Sequence, residues 1–141
     1  MEPRVVLDTN VLVAAIRSRR GASFRLLALL GEGRFRCVLS VPLVLEYEAA
    51  MKRIANRVGM KHSDVEDLLD YICRVGEHRE IYYLWRPYLQ DPSDEMILEL
   101  AVESACGTIV THNVRDFEGV ERLGVRVVRP VDFLRSLGGE P

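Results

Sequence analysis

The chain has 141 residues, of which 48% are hydrophobic and 28% are charged, and its formal net charge is −2 at pH 7. This composition is that of an ordinary globular protein, and the length predicts one domain over residues 1–141, with about 137–141 as a loose tail. No apolar run approaches the roughly 20 residues that a membrane-spanning helix needs, so we expect no association with a membrane. The net charge also argues against a basic surface that covers the whole molecule.

Two features predict the cellular compartment. The buried-looking strand at residues 4–7 follows the first residues at once, which leaves no room for a signal peptide. The three cysteines, Cys37, Cys73 and Cys106, are odd in number and lack the spacing of metal ligands. We therefore expect a cytoplasmic protein whose thiols are reduced.

Arginines are concentrated in one stretch of the chain. Arg17, Arg19 and Arg20 lie close together, and three more arginines follow by residue 36. Because a guanidinium group binds phosphate bidentately, these three residues are candidates for a phosphate-facing rim. A solvated, arginine-rich surface would have the same sequence, and this alternative stays open.

Five β-rich runs alternate with helical patterns along the chain. Strands are predicted at residues 4–7, 37–39, 81–84, 108–111 and 125–128, without hairpin signals between them. Ser40 is a predicted cap of the third helix, which runs to about Asn56, and Ser63 and Glu66 have the spacing of a capping box. The alternation of strands and helices implies parallel strands with right-handed crossovers, which is an open α/β sheet.

Four acidic residues are predicted to meet at one edge of this sheet. In an open parallel sheet, ligands bind beyond the carboxyl ends of the strands. Asp8 follows the first strand, and Asp116 lies in the loop after the fourth. Glu46 and Asp94 lie in the first turns of helices that enter from that edge or close to it.

Each acid also has a purely structural interpretation. Asp8 and Asp91 could cap helices, Asp94 could be a first-turn acid that the helix dipole stabilises, and Asp116 could be a surface turn residue. Helical phase nevertheless places both Glu46 and Asp94 on apolar helix faces. The face that includes Glu46 is formed by Leu43, Tyr47, Ala50 and Ile54. The face that includes Asp94 is formed by Ile97, Leu98, Ala101 and Ala105. A carboxylate at such a position is costly unless it is paired, protonated or bound to a metal, and the sequence offers no obvious basic partner.

The residue types in this cluster predict the chemistry of the site. Four grouped carboxylates repel one another unless a cation neutralises them. An all-oxygen site without histidine or cysteine ligands selects hard ions such as Mg²⁺ or Mn²⁺. Such ions activate water and stabilise a phosphoryl transition state, so the sequence predicts phosphodiester hydrolysis.

Four blocks of the sequence form a pattern: Val5–Leu12, Ser40–Glu46, Asp91–Ile97 and Thr111–Phe117. Taken together, these blocks resemble the motifs of the PIN-domain nucleases. The order and separation of the blocks fit, and the match covers nearly the whole chain. The resemblance is strongest to bacterial and archaeal PIN proteins regarded as toxins of toxin–antitoxin pairs.

This resemblance implies a three-layer α/β/α fold with a central parallel five-stranded sheet, and a ribonuclease that cuts single-stranded RNA with Mg²⁺ or Mn²⁺. Asp8, Glu46 and Asp94 map onto the three acids of the pocket, and Asp116 maps onto the fourth. Some relatives carry an acid where this chain has Asn113, so the identity of the fourth ligand stays open.

The implied partners are the RNA substrate, an antitoxin protein and a second copy of the chain. The resemblance also implies supporting residues. Asn10 would support Asp8, and Asp91 would be an extra acid at the rim. Thr111 and Asn113 would orient carboxylates or water.

Three other functions are alternatives to this interpretation. A phosphoacceptor receiver domain would carry paired acids after the first strand and a lysine after the last strand, and this chain has neither. A phosphatase with an Asp-x-Asp nucleophile would need an acid where Asn10 stands. A non-catalytic PIN module that binds RNA or a protein partner remains open, because a fold does not establish an activity.

Overall fold

The computed structural model describes residues 2–81, 89 and 91–138. Short 3₁₀ helices at Ala55–Val58, Val114–Phe117 and Val120–Leu123 connect the main elements. The main elements, in chain order, are β1 (Arg4–Leu7), α1 (Thr9–Arg17), α2 (Ala22–Leu29), β2 (Arg36–Leu39), α3 (Val41–Ile54), α4 (His62–Val75), β3 (Glu77–His78), α5 (Pro92–Glu103), β4 (Thr108–Val110), β5 (Arg126–Val128) and α6 (Pro130–Ser136).

The strands form one five-stranded sheet in the order β3-β2-β1-β4-β5, and every pair is parallel. The central strand β1 is apolar after its first residue, and Val5 and Val6 are completely buried. A strand with this composition needs cover on both faces, and the helices supply it. The predicted three-layer α/β/α fold with a central parallel sheet is therefore confirmed.

The helices pack so that the starts of α1, α3 and α5 come close to the end of β1. Helix α1 packs against α2 and α3, while α5 packs against β1, β2 and β4. Tyr47 of α3 is fully buried, and its hydroxyl donates a 2.5 Å hydrogen bond to the carbonyl of Leu7. This bond connects the first half of α3 to the last residue of β1.

Strand β3 lies at residues for which the sequence predicted no strand. The sequence predicted a strand at residues 81–84, three of which are β-branched or aromatic, whereas β3 is at Glu77–His78. It pairs with Val38 and Leu39, and the N–H of Arg79 donates to the carbonyl of Leu39, the last residue of β2. Strand β2 ends at Leu39. Ile81 lies in no strand, and residues 82–84 are outside the described part of the chain.

An ion pair across the sheet accounts for this register. Arg4 of β1 donates two hydrogen bonds of 2.8 and 2.6 Å to the carboxylate of Glu77. Hydrogen bonds from Arg4, and secondarily from Arg79, hold the pKa of Glu77 at about 2. Because Arg4 stands in β1 and Glu77 in β3, this charge pair aligns two strands that are not neighbours in the sheet. Strand propensity, which depends on local residue types, does not report such a long-range ion pair.

The start of α4 also differs from the prediction. Ser63 and Glu66 have capping-box spacing, but α4 begins at His62 and Lys61 is its N-cap residue. The Asp64 carboxylate accepts a 2.8 Å hydrogen bond from the N–H of Lys61. Asp64 therefore serves a cap two residues earlier than the sequence suggested. The predicted caps at Ser40 and Asp91 are confirmed, with hydrogen bonds from Leu43 N–H and Ser93 N–H of 3.3 and 2.8 Å.

The strand order creates a crevice at the end of β1. The chain leaves β1 toward β2 on one side and later enters β4 on the other side. Loops that start in opposite directions from adjacent strand ends leave a gap, and ligands in open α/β sheets bind there. Asp8 directly follows β1 and Thr111 directly follows β4, so both stand at this gap.

Candidate active site

Asp8 is the most buried acid of the candidate site, with 6% of its surface exposed. It occupies the N-cap position of α1, yet its side chain makes no capping hydrogen bond. Its Oδ2 instead accepts hydrogen bonds from Thr111 Oγ1 at 2.7 Å and from Asn10 Nδ2 at 3.2 Å. The capping interpretation of Asp8 is therefore wrong for its side chain, which faces groups from the end of β4.

Thr111 connects the two strand ends through one fully buried hydroxyl. Besides donating to Asp8, its Oγ1 accepts from Asn10 Nδ2 at 3.1 Å and from the N–H of Asn113 at 3.0 Å. Asn10 also accepts from the N–H of His112 at 3.1 Å. These bonds place Asn10 beside Asp8, and Asn113 takes part through its backbone. The loop after β4 is thereby held against the start of α1.

Glu46 lies on α3 and is held by two hydroxyl groups. Thr9 Oγ1 donates to Glu46 Oε2, and Ser93 Oγ donates to Glu46 Oε1, both at 2.9 Å. Thr9 is the first residue of α1, and Ser93 is in the first turn of α5. Sequence reasoning did not identify Thr9 or Ser93. Their only signal was their position directly after Asp8 and directly before Asp94.

Asp94 and Asp116 complete the acidic group. Asp94 is half-buried in the first turn of α5, whose N-cap is Asp91. Asp116 lies in the 3₁₀ helix after β4 and is exposed, and its N–H bonds to the carbonyl of Asn113. None of the ion pairs among the described residues includes Asp8, Glu46, Asp94 or Asp116.

The electrostatics of the group show that its members interact. Burial raises the pKa of Asp94, and the charges of Asp8, Asp91, Asp116 and Glu46 add to it, bringing it to about 7. Burial also raises the pKa of Asp8, and the hydrogen bond from Thr111 lowers it. The charges of Glu46 and Asp116 raise this pKa further. The end of the sheet therefore carries a strongly negative potential.

The donor set suits a hard divalent cation. Carboxylates without histidine or thiolate ligands are typical of Mg²⁺ and Mn²⁺ sites. The pKa of Asp94 is raised first by burial and then by repulsion from the neighbouring acids, and a cation would relieve that repulsion. Across the described ranges, no three side chains of histidine, cysteine, aspartate or glutamate are close enough to hold one ion between them. A cation bound here would therefore keep water in much of its coordination shell, as Mg²⁺ commonly does.

The arginine stretch lies at the other end of α1. Arg17, Arg19 and Arg20 are exposed, and Arg17 is the last residue of the helix that Asp8 precedes. Nine helical residues correspond to about 13 Å, which separates these arginines from the acids. Arg19 also lines an apolar groove of about 600 Å³ together with Phe24, Leu27 and Met60. Any contact with a phosphate chain at Arg17, Arg19 and Arg20 would thus lie away from the acids.

A second polar contact that the sequence analysis missed borders the site. Ser23 of α2 is buried, and its Oγ lies 2.8 Å from Nε2 of His112. Desolvation lowers the pKa of His112, which favours the neutral ring. The contact holds the loop between β4 and Asn113 against the start of α2, so the loop is fixed from two sides.

Fold and site together define an α/β protein with an acidic cluster at the switch point of a parallel sheet. The chain matches the family model of the PIN domain over residues 4–115. The chain therefore belongs to the PIN-domain family. The match includes Asp8, Glu46 and Asp94, and it ends one residue before Asp116. No curated protein matches the chain.

Membership in this family assigns a general chemistry. PIN domains are generally nucleases, which hydrolyse phosphodiester bonds and typically use divalent metal ions. The acidic cluster described above is the kind of site that this chemistry requires. As for membranes, the described residues contain no helix that is both long and apolar enough to cross one.

Proposed function

We propose that this protein is a Mg²⁺- or Mn²⁺-dependent endoribonuclease that cleaves single-stranded RNA at the Asp8, Glu46, Asp94 and Asp116 cluster. The observation that carries the proposal is the negative potential at the sheet end, where Asp94 has a pKa of about 7 and no described ion pair compensates the charge. A cluster of this kind is unfavourable in itself and becomes favourable when a cation binds.

The acids have different roles in the proposed mechanism. Asp8, Asp94 and Asp116 hold the cation, directly or through water. When bound, the cation stabilises charge on the phosphoryl oxygens and lowers the pKa of water. Asn10 and Thr111 orient the Asp8 carboxylate through the hydrogen bonds given above.

Glu46 acts on the attacking water. Its carboxylate accepts a hydrogen bond from that water and takes up a proton as the water oxygen bonds to phosphorus. The bond from phosphorus to the leaving ribose oxygen breaks, and that oxygen gains a proton from solvent. Glu46 is suited to this role because its two hydrogen-bond donors, Thr9 and Ser93, are neutral and leave its negative charge uncompensated.

The biological role proposed here is that of a cytoplasmic toxin in a toxin–antitoxin pair, which a protein antitoxin and self-association would regulate. This part of the proposal comes from the resemblance of the four sequence blocks to such proteins. A small neighbouring gene that encodes a DNA-binding protein would support it. Co-purification of that gene product with this chain would test the pairing directly.

The nuclease activity is tested with matched substrates and a matched variant. Protein freed of metal with EDTA is incubated with end-labelled single-stranded RNA, single-stranded DNA of the same sequence, and the RNA duplex. Cleavage of the single-stranded RNA should appear only after Mg²⁺ or Mn²⁺ is added. An Asp94→Asn preparation made in parallel should be inactive, which excludes a contaminating ribonuclease.

Two outcomes would overturn the proposal. Undiminished cleavage in excess chelator would rule out the metal-dependent mechanism. Absence of cleavage with every ion, together with retained RNA binding, would identify a non-catalytic PIN module instead.

A further inference from the structure

The side chain of Glu46 is held at both oxygens by hydroxyl groups from two other helices. Thr9 Oγ1 of α1 and Ser93 Oγ of α5 each donate over 2.9 Å. Glu46 itself stands on α3, so three helices meet at one carboxylate. Thr9 follows Asp8 in the sequence, and Ser93 precedes Asp94. Each hydroxyl group therefore connects Glu46 to a segment that carries another acid of the cluster.

We propose that Thr9 and Ser93 are positioning residues that hold Glu46 as the acceptor for the attacking water. In this proposal, which rests on the proposed nuclease function, Glu46 does not ligate the metal directly. Neither residue touches the reacting atoms in this proposal. Both act through Glu46.

The hydrogen-bonding capacity of the carboxylate supports this assignment. An ionised carboxylate has about four lone-pair sites on its two oxygens, and hydroxyl donors occupy one site on each oxygen of Glu46. The remaining sites can accept a water molecule. A bidentate grip on a cation would need both oxygens at once and would compete with both hydroxyl groups.

The neutrality of the donors is the second argument. A lysine or arginine at either position would cancel the charge of Glu46 and make it a poor acceptor for a proton. Hydroxyl groups fix the direction of the carboxylate and leave its charge in place. The charge of Glu46 is felt by Asp8 and Asp94, whose pKa values it helps to raise.

The arrangement is itself held in place by backbone contacts. The N–H of Ser93 donates to Asp91 Oδ1 at 2.8 Å, which fixes the first turn of α5 and hence the Ser93 hydroxyl. The hydroxyl of the neighbouring Tyr47 donates to the carbonyl of Leu7, which fixes α3 at the end of β1. Asp91 therefore contributes by positioning Ser93.

The test uses substitutions that change no charge. Thr9→Val and Ser93→Ala each remove one hydroxyl from Glu46, while Thr9→Ser and Ser93→Thr keep it. Ser136→Ala is the matched control, since Ser136 Oγ donates to the carbonyl of Phe133 within α6. For each variant, Mn²⁺ affinity is measured by electron paramagnetic resonance, kcat and KM are measured on a labelled RNA, and folding is followed by thermal melting.

Thr9→Val and Ser93→Ala should lower kcat by about 10–100-fold, the loss expected from a misplacement of roughly 1 Å at a reacting group. KM and Mn²⁺ affinity should stay at the wild-type values, and Thr9→Ser, Ser93→Thr and Ser136→Ala should retain activity. If Ser93 acts through Glu46, then Ser93→Ala should cause no further loss in a Glu46→Gln background.

The outcomes separate this inference from the proposed function. Weakening of Mn²⁺ binding by about 10–100-fold in Thr9→Val or Ser93→Ala would make Glu46 a direct ligand, because this is the usual cost of removing a partner of a ligand. Wild-type kcat in both variants would show that the hydroxyl groups do not position Glu46. An inactive wild-type protein would instead refute the nuclease function, and this inference would fall with it.

Discussion

Thr111 Oγ1 donates a 2.7 Å hydrogen bond to Asp8 Oδ2 across 103 residues of sequence. The bond joins the end of β4 to the end of β1, and it lowers the pKa of an acid that burial would otherwise raise further. Thr111 is fully buried, and its hydroxyl accepts two more hydrogen bonds, from Asn10 and Asn113. A single hydroxyl thus decides how the central acid of the pocket is oriented and how easily it ionises.

Thr111→Val tests this relationship, since valine keeps the shape and removes the hydroxyl. Without the hydrogen bond the pKa of Asp8 should rise, so the acidic limb of the pH–activity profile should move to higher pH. Mn²⁺ affinity should fall by about 10–100-fold, as is usual when the partner of a metal ligand is lost. The measurement is a Mn²⁺ titration followed by a pH–rate profile. Thr111→Ser is the control, and wild-type affinity in Thr111→Val would place Asp8 outside the metal site.

Asp94→Asn should stabilise the metal-free protein at neutral pH and abolish activity. The folded-state pKa of Asp94 is about 7, above the usual unfolded value of about 3.9. An acid whose pKa is raised on folding is most favourable when protonated, so stability falls as the pH rises from about 4 to about 7. The substitution should therefore add about 1–3 kcal/mol at pH 8, after a reduction for solvent screening, and almost nothing near pH 4.

The measurement for Asp94 is thermal melting with EDTA at pH 4 and pH 8. Asp67→Asn on the exposed face of α4 is the control and should change stability little at either pH. With Mn²⁺ present the order should reverse, because ligand binding stabilises only the wild-type site. If Asp94→Asn lowers the metal-free melting temperature by many degrees, Asp94 serves the helix start rather than a cation.

Glu46 and Glu48 stand two residues apart on α3 and should differ sharply in function. At about 100° per residue they point roughly 200° apart. Glu46 bonds to Thr9 and Ser93, whereas Glu48 pairs with Lys52 Nζ at 2.9 Å. Glu46→Gln should cost about 10²–10⁴ in rate, the usual contribution of a general base. Glu48→Gln should retain near wild-type activity.

Steady-state kinetics on a labelled RNA measures both glutamine variants, with melting curves to confirm folding. The loss of the Lys52 ion pair in Glu48→Gln should cost no more than about 1 kcal/mol of stability. Equal losses of rate in the two variants would contradict the assignment of Glu46. A larger loss in Glu48→Gln would mean that the second sequence block has been misassigned.

Replacement of Arg17, Arg19 and Arg20 by glutamine should weaken RNA binding without removing catalysis at saturating substrate. All three side chains are exposed at the far end of α1 from the acids. Each phosphate contact that is lost should flatten the dependence of log affinity on log salt by about 0.7 for a single strand. Binding is measured by fluorescence anisotropy of labelled RNA between low and high salt.

A triple variant of Arg53, Arg57 and Arg74 is the matched control, because it removes the same charge from exposed positions on or near α3 and α4. Only the first triple variant should change the salt slope. The same slope in both variants would return Arg17, Arg19 and Arg20 to the solvated-surface interpretation.

Local patterns predicted much of this protein. Runs such as Val5-Val6-Leu7 specify a strand buried on both faces, and their alternation with amphipathic helices leaves a parallel three-layer sheet as the economical arrangement. Helical phase placed Glu46 toward the core and Glu48 away from it. The serine and aspartate caps at Ser40 and Asp91 were also predictable, because a cap depends on groups only a few residues apart.

The tertiary structure decided which individual residues pair across long sequence separations. Strand propensity favoured residues 81–84, but β3 forms at Glu77–His78, where β2 offers backbone partners and Arg4 offers a counter-charge. The hydroxyl groups of Thr9 and Ser93 show no periodicity that marks them, and they acquire their role because the fold brings them to Glu46. The resemblance implied that Thr111 orients a carboxylate or water, and the fold gives its hydroxyl Asp8 as the acceptor. Composition and periodicity record which face of an element is apolar. The long-range pairing that gives a hydroxyl its acceptor or an acid its raised pKa arises only when the strand ends come together.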